Sequence, residues 1–234
     1  RDRVTAPINK EAIHSDSFKF MGHTDYIDSQ IEGSAVMMMV SDELKVALLT
    51  EHIPISKVTE TITKDLVRAK IKNLHNTLIR DFQIEKPKIA ILSIDPHAGD
   101  GGVIAKNDQE VTVPVIKEMN GNGFLVYGPF SSDSFFGSLE YKKYDITLAS
   151  FHDQGLIPFK TLSFGKGVNY SSGLERIRTS PDHGTAYAIA GKGEASKDSF
   201  LTSIFLALDT VSYTHLRAHE TKANLVCRLM HEKK

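Results

Sequence analysis

KIAILSIDPHAGDGG (residues 88–102) decides the fold. Its first seven residues, 88–94, are a nearly continuous apolar run, the pattern of a strand covered on both faces. The run then breaks into a loop that carries His97 and a cluster of glycines, which tight turns with positive φ favour. Outward from this strand the same texture repeats. Residues 35–41 and 45–50 read as strands joined by a tight turn at 41–43, and 124–127 and 145–150 read as two more. Between them, Ile62, Leu66, Leu74, Leu78 and Phe82 recur on one face of a helix expected over 57–82. A second helix is expected over 108–120, capped by Asp108 and ending near Gly121 and Gly123, with two more over 183–191 and 196–210. The stretch FHDQGLIPFK (151–160) reads as a strand end opening into a loop, because Gly155 and Pro158 lie too close together for a helix. Strands alternating with helices predict an α/β fold in α/β/α layers around a mainly parallel sheet.

Bulk properties narrow the function classes. The 234 residues are 41% hydrophobic and 24% charged, ordinary globular values, and the formal net charge is −1. Near neutrality argues against general affinity for nucleic acid or acidic membrane surfaces. No apolar run approaches the roughly 20 residues of a membrane span. A single cysteine, Cys227, rules out an internal disulfide framework and favours a reducing, cytoplasmic setting.

Three predicted strands each deliver a histidine just past their carboxyl ends: His52 after 45–50, His97 after 88–94 and His152 after 145–150. In open α/β sheets that edge is where ligands bind. Three imidazoles converging there suit a divalent metal with an open position. Their spacings, 45 and 55 residues, match no local zinc motif, and a lone loop histidine is more often solvated or hydrogen-bonded. The glycines of 95–102 fit neither a Walker loop nor a G-x-G-x-x-G fingerprint. Downstream, Lys160, Lys166, Asn169, Arg176 and Arg178 offer cations and an amide suited to a phosphorylated anion, although isolated surface cations are usually solvated.

The motifs GHTD (22–25), DPHAGDGG (95–102), FHDQGLIPFK (151–160), GVN (167–169), IRTSPDHGTA (177–186) and IAGKGEA (189–195) together resemble the 4-hydroxythreonine-4-phosphate dehydrogenase family of vitamin B6 biosynthesis, over roughly residues 1–209. The resemblance implies an isocitrate/isopropylmalate-dehydrogenase-like fold and a homodimer. It implies a divalent metal (Zn, Mg or Co) on His52, His97 and His152, drawn from both subunits. It implies substrate contacts from His23, Thr24, Lys160, Asn169 and Arg178. The implied reaction oxidises the secondary alcohol of 4-phosphooxy-L-threonine with NAD or NADP, and CO₂ is then lost to give 3-amino-2-oxopropyl phosphate. Asp153 is a candidate to orient His152 from behind, or else a simple loop cap. DHGTAYAIAGKGEAS also resembles a stretch of the isopropylmalate dehydrogenases that lies beside the adenosine of NAD, which implies a cofactor-side position for His183, Gly184, Thr185 and Ala186.

The family's glycine–aspartate–proline opening signature is absent. The expected organisation is a central substrate, metal and dimer unit over 1–160 and a returning part of a split nucleotide-side domain over 161–210. The remaining 211–234 resembles translated adapter sequence and is expected to be a non-native tail, so His215, His219, Cys227 and His231 are given no role. As written, the polypeptide is expected to be poorly stable and inactive, half a core layer being missing. Other readings are a D-threonate or D-erythronate 4-phosphate dehydrogenase, a metal-free phosphate acetyltransferase of similar fold, and a non-catalytic phosphometabolite-binding protein.

Overall fold

The computed structural model describes residues 3–13, 15, 19–20, 26 and 33–212. His23 and Thr24, and all but the first two residues of 211–234, lie outside them. In chain order the elements are β1 (Arg3–Val4), α1 (Lys10–Ile13), β2 (Gly33–Val40), β3 (Lys45–Leu48), α2 (Val58–Thr61), α3 (Lys64–Arg80) and β4 (Lys88–Leu92). They continue with α4 (Val113–Gly121), β5 (Leu125–Phe130), α5 (Ser132–Gly137), β6 (Ile146–Ala149), α6 (His152–Ser163), β7 (Val168–Leu174), β8 (Arg178–Pro181) and α7 (198–212).

Among the described residues, the eight strands form one sheet in the order β1-β8-β7-β2-β3-β6-β4-β5. The half built from β3, β6, β4 and β5 is parallel, while β2 and β7 run antiparallel to their neighbours. Strand alternation sorts the buried side chains onto two faces. Met38, Ala47, Ile89, Ile91, Leu148 and Tyr170 face α3, α4 and α7; Met37, Met39, Val46, Leu48, Ala90, Leu92 and Ala149 face α5 and α6. The result is three layers, as the alternation of elements predicts, and residues 89–92 of β4 are wholly buried at its centre.

Several sequence expectations are corrected. The helix expected over 57–82 is two: Ile62 is extended (ψ 94°) and Thr63 caps α3, its hydroxyl accepting the N–H of Leu66 at 3.2 Å. The buried stripe of α3 runs through Val67, Ile71, Leu74 and Leu78; Leu66 is only half-buried, and Phe82 lies beyond the helix end. Asp108 does not cap its own helix. It is fully buried and accepts from the N–H groups of Ile94 and Asp95, fixing the end of β4. Residues 168–174 and 178–181, for which no strand is predicted, are strands, and 183–191, expected to be a helix, contains only the short turn Tyr187–Ile189.

The largest correction concerns 151–160: Phe151 is the extended N-cap, and 152–160 form the first three-quarters of α6 rather than a loop. Burial overrides the unfavourable propensity of Gly155 and Pro158: Leu156 and Phe159 are inserted into the sheet face, and Phe159 is fully buried. Gly155 sits where the helix crosses the strands. A Cβ there would meet Val46 Cγ1 at 2.7 Å, Leu48 Cδ2 at 2.9 Å and Ala149 Cβ at 3.0 Å. Alanine gains about 1 kcal/mol in helix propensity, but overpacking at such distances costs about 1–3 kcal/mol. Gly155→Ala is therefore expected to destabilise the fold, seen as a lower denaturant midpoint at unchanged m; an unchanged or raised midpoint would refute this packing.

Candidate active site at the carboxyl ends of the strands

The parallel strands β3, β4 and β6 end side by side, and their ends are tied together by side chains. The Thr50 hydroxyl donates to the carbonyl of Ser150 at 2.7 Å, and the Ser150 hydroxyl to the carbonyl of Leu92 at 3.2 Å. Gln154, in the first turn of α6, accepts from Ser150 N–H at 2.6 Å and donates to the Ser93 carbonyl at 2.8 Å and Ser132 Oγ at 2.7 Å.

On this edge the structure places two hollows that share Phe151 as a wall. One contains His52 and His152, whose ring centroids are 5.6 Å apart. The other contains His97 with Asp95, Asp133 and Gln154. Two of the three strand-end histidines are thus brought together and the third stands next door. Among the described residues, no three His, Cys, Asp or Glu side chains are grouped so as to hold a metal ion. His152 Nδ1 lies 2.7 Å from Asp153 Oδ1. An ionised carboxylate only accepts, so Nδ1 carries the proton, and in the neutral ring the lone pair is then on Nε2. Two neighbouring imidazoles, one held in a ligating tautomer, suit a divalent cation whose remaining ligands come from elsewhere.

Glu51, beside His52, is a residue the sequence reading missed. The β2–β3 pairing ends at Met38–Ala47, and Glu51 Oε1 accepts the Met37 N–H just beyond it at 3.2 Å. Lys70 Nζ from α3 reaches the same oxygen at 3.4 Å. The loop after β3 is pinned at the residue preceding the histidine.

The His97 turn is unusual. His97, Ala98, Gly99, Asp100 and Gly101 all have φ between 45° and 75°, and Gly102 follows at 94°. Such consecutive left-handed residues cost roughly 1–2 kcal/mol each when not glycine. The turn persists because Asp108 and Asn107 hold its root: Asn107 Nδ2 donates to Asp95 Oδ1 at 2.9 Å.

The cationic candidates lie on the α6 side of the sheet. Arg178 is buried on β8 and donates to Ser171 Oγ (3.3 Å) and Thr5 Oγ1 (3.1 Å). Burial pulls its pKa down to about 10, which leaves it charged at neutral pH. Asn169 pairs across the strands with Ser180, and its Oδ1 is buried with no hydrogen-bond partner among the described residues. Lys160 Nζ is 3.5 Å from Asp182 Oδ1; burial raises the Asp182 pKa and Lys160 pulls against it. Alternation puts Asn169, Ser171, Arg178, Ser180 and Asp182 on one face. Lys160 is eight residues beyond His152 on α6, about 12 Å along the axis. Within one chain this cationic group and the histidine pair are separate. His183, Gly184, Thr185 and Ala186 are all exposed, in the loop between β8 and α7.

The family model described as pyridoxal phosphate biosynthetic protein PdxA matches residues 2–207. The chain is similar to the 4-hydroxythreonine-4-phosphate dehydrogenase of Bacteroides thetaiotaomicron (46% identical over 233 residues; 99% of this chain, 64% of that protein). It is also similar to that of Prosthecochloris aestuarii (42% over 219 residues; 92% and 64%). It therefore spans slightly less than two thirds of the length of these curated relatives. Among solved structures, the 4-hydroxythreonine-4-phosphate dehydrogenase of Klebsiella pneumoniae superposes with a TM-score of 0.79 at 36% identity, covering 88% of this chain and 62% of that one. A terephthalate 1,2-cis-dihydrodiol dehydrogenase of Burkholderia xenovorans shares the fold at 24% identity and a TM-score of 0.69. The fold is isocitrate/isopropylmalate-dehydrogenase-like. With the strand-end histidines, the cationic face and a match along nearly its whole length, the chain belongs to the PdxA family of pyridoxal phosphate biosynthetic proteins.

Proposed function

We propose that the protein oxidises 4-phosphooxy-L-threonine at its secondary alcohol with NAD or NADP, and that the resulting 3-oxo acid loses CO₂ to give 3-amino-2-oxopropyl phosphate. The observation that carries the reading is the His52–His152 pair at the carboxyl edge of the sheet, in a chain of this family. His52, His97 and His152 would hold a divalent cation (Zn, Mg or Co), in a homodimer where one copy completes the other's site. Such a cation supplies Lewis-acid stabilisation of negative charge developing on the substrate. Asp153 keeps the His152 proton on Nδ1, so that Nε2 remains available. Lys160, Asn169 and Arg178, with His23 and Thr24, would grip the phosphate and carboxylate, contributing orientation. His183, Gly184, Thr185 and Ala186 would line the dinucleotide side. Residues 1–160 would form the substrate and dimer unit and 161–210 the returning nucleotide-side part, the sheet running on between them through β2 and β7. No described helix is long and apolar enough to cross a membrane, and the cytoplasm is the proposed site of action.

The test is NADH formation from 4-phosphooxy-L-threonine and, separately, from D-threonate 4-phosphate. It is run on the chain as given and on a form extended to the length of its relatives. Turnover of the first substrate supports the proposal. Turnover of the second alone moves the protein to sugar-acid oxidation, and no NADH from either leaves a binding protein. Asp153→Ala is expected to weaken Co²⁺ binding by about 10- to 100-fold, measured by competition with a chelating dye; unchanged affinity would make Asp153 a helix-start residue only.

A further inference from the structure

The two hollows share Phe151, and Gln154, three residues on, lines the His97 hollow. Its side chain uses three of the four hydrogen bonds an amide can make, at 2.6, 2.8 and 2.7 Å, each to a different part of the edge. Oε1 takes the N–H of Ser150, where β6 hands over to α6; Nε2 gives one hydrogen to the Ser93 carbonyl, on the strand leading to His97, and the other to Ser132 Oγ at the start of α5. His152 lies two residues before Gln154 on the same helical turn, and Asp133, beside Ser132, lines the His97 hollow. Gln154 Nε2 ties α6 to Ser93 just past β4, and Ser150 Oγ, at the end of β6, ties to the Leu92 carbonyl.

We propose that Gln154 is a positioning residue for the cation site: it sets where the His152 turn stands relative to the His97 loop. The inference rests on the histidine metal site proposed above. A glutamine at the third position of a helix is the residue type that reaches back to a backbone N–H before the helix. Here its amide nitrogen also reaches forward to two neighbouring segments, so a carboxylate of the same length could replace only part of the linkage. The Ser93 carbonyl accepts and would repel a second acceptor.

The experiment titrates the folded protein with Co²⁺, reading both the dissociation constant and the visible absorption that reports ligand geometry. Three variants are compared with wild type. Gln154→Met keeps the volume and removes all three bonds, Gln154→Glu keeps the bond from Ser150 and can accept from the Ser132 hydroxyl but loses the bond to the Ser93 carbonyl, and Asn120→Leu serves as control. Asn120 makes a comparable pair of bonds to the backbone of Val126, both 2.9 Å, far from the histidines on the sequence of the fold, between α4 and β5. The expected result is Co²⁺ affinity lower by about 10- to 100-fold with a changed absorption band in both Gln154 variants, and wild-type affinity and band in Asn120→Leu. Wild-type binding in Gln154→Glu or Gln154→Met overturns the proposal. So does an equal loss in Asn120→Leu, which would mean that lost stability alone weakens the site. His52→Ala and His152→Ala, run alongside, identify a different failure: if neither alters Co²⁺ binding, the histidine site itself is wrong and the role of Gln154 falls with it.

Discussion

His152→Ala is expected to remove chelator-sensitive NADH formation while leaving the fold intact. Removing a ligand of a Lewis-acid cation forfeits several kcal/mol of transition-state stabilisation, and at about 1.4 kcal/mol per tenfold this is on the order of a 10³-fold loss in kcat. The side chain is partly exposed, its ring neighbours are His52 and Asp153, and α6 is anchored through Leu156 and Phe159 instead. The thermal midpoint should therefore barely move. Asp153→Ala should show the same pattern in weaker form, because the imidazole remains and only its tautomer and orientation are released. A His152→Ala variant that turns over at the wild-type rate would exclude the ligand role, whatever its stability.

The second large effect is on stability, and it begins at Asp108. This wholly buried carboxylate accepts from two backbone N–H groups at the end of β4 and from the Thr112 hydroxyl at 2.7 Å. Asp108→Ala strands the two N–H groups away from water. The Thr112 hydroxyl still has the residue-108 carbonyl, so at about 1–3 kcal/mol for each of the two stranded N–H groups the loss is about 2–6 kcal/mol, a large part of the 5–15 kcal/mol that holds an ordinary domain together. Asp108→Asn keeps one acceptor oxygen and should lose less. Since Asp108 also roots the left-handed His97 turn, residual folded protein should bind Co²⁺ poorly. Chemical denaturation checks the first part; a midpoint within about 0.5 kcal/mol of wild type would contradict it.

The division between what was legible in the sequence and what was not follows from range. Ile89–Leu92 announced a strand buried on both faces because four consecutive apolar residues cannot serve a one-faced strand. The histidines could be placed just past strand ends by counting. Helix α6 was not legible: Gly155 and Pro158 speak against a helix locally, and only the Val46, Leu48 and Ala149 side chains beneath Gly155 explain why glycine is wanted there. Misreading that helix also hid Gln154, whose role depends on its being one helical turn past Ser150. Glu51 was invisible for a similar reason, since its partner is an N–H on β2 just beyond the last β2–β3 pair, Met38–Ala47. Convergence was legible only in part. The strand ends bring His52 to His152, while the His97 turn curls into its own hollow. Asp182, opposite Lys160, is a tertiary pairing across 22 residues of chain with no local pattern to reveal it.

The central claim is that strand-end histidines hold a cation needed for the oxidation. It is tested most directly by adding Co²⁺ to metal-stripped protein in the presence of 4-phosphooxy-L-threonine and NAD or NADP, following the visible Co²⁺ band and NADH together. The account predicts that band and turnover rise in parallel, saturate together, and are both lost in His152→Ala. Full turnover in excess chelator, with no Co²⁺ band, would contradict it.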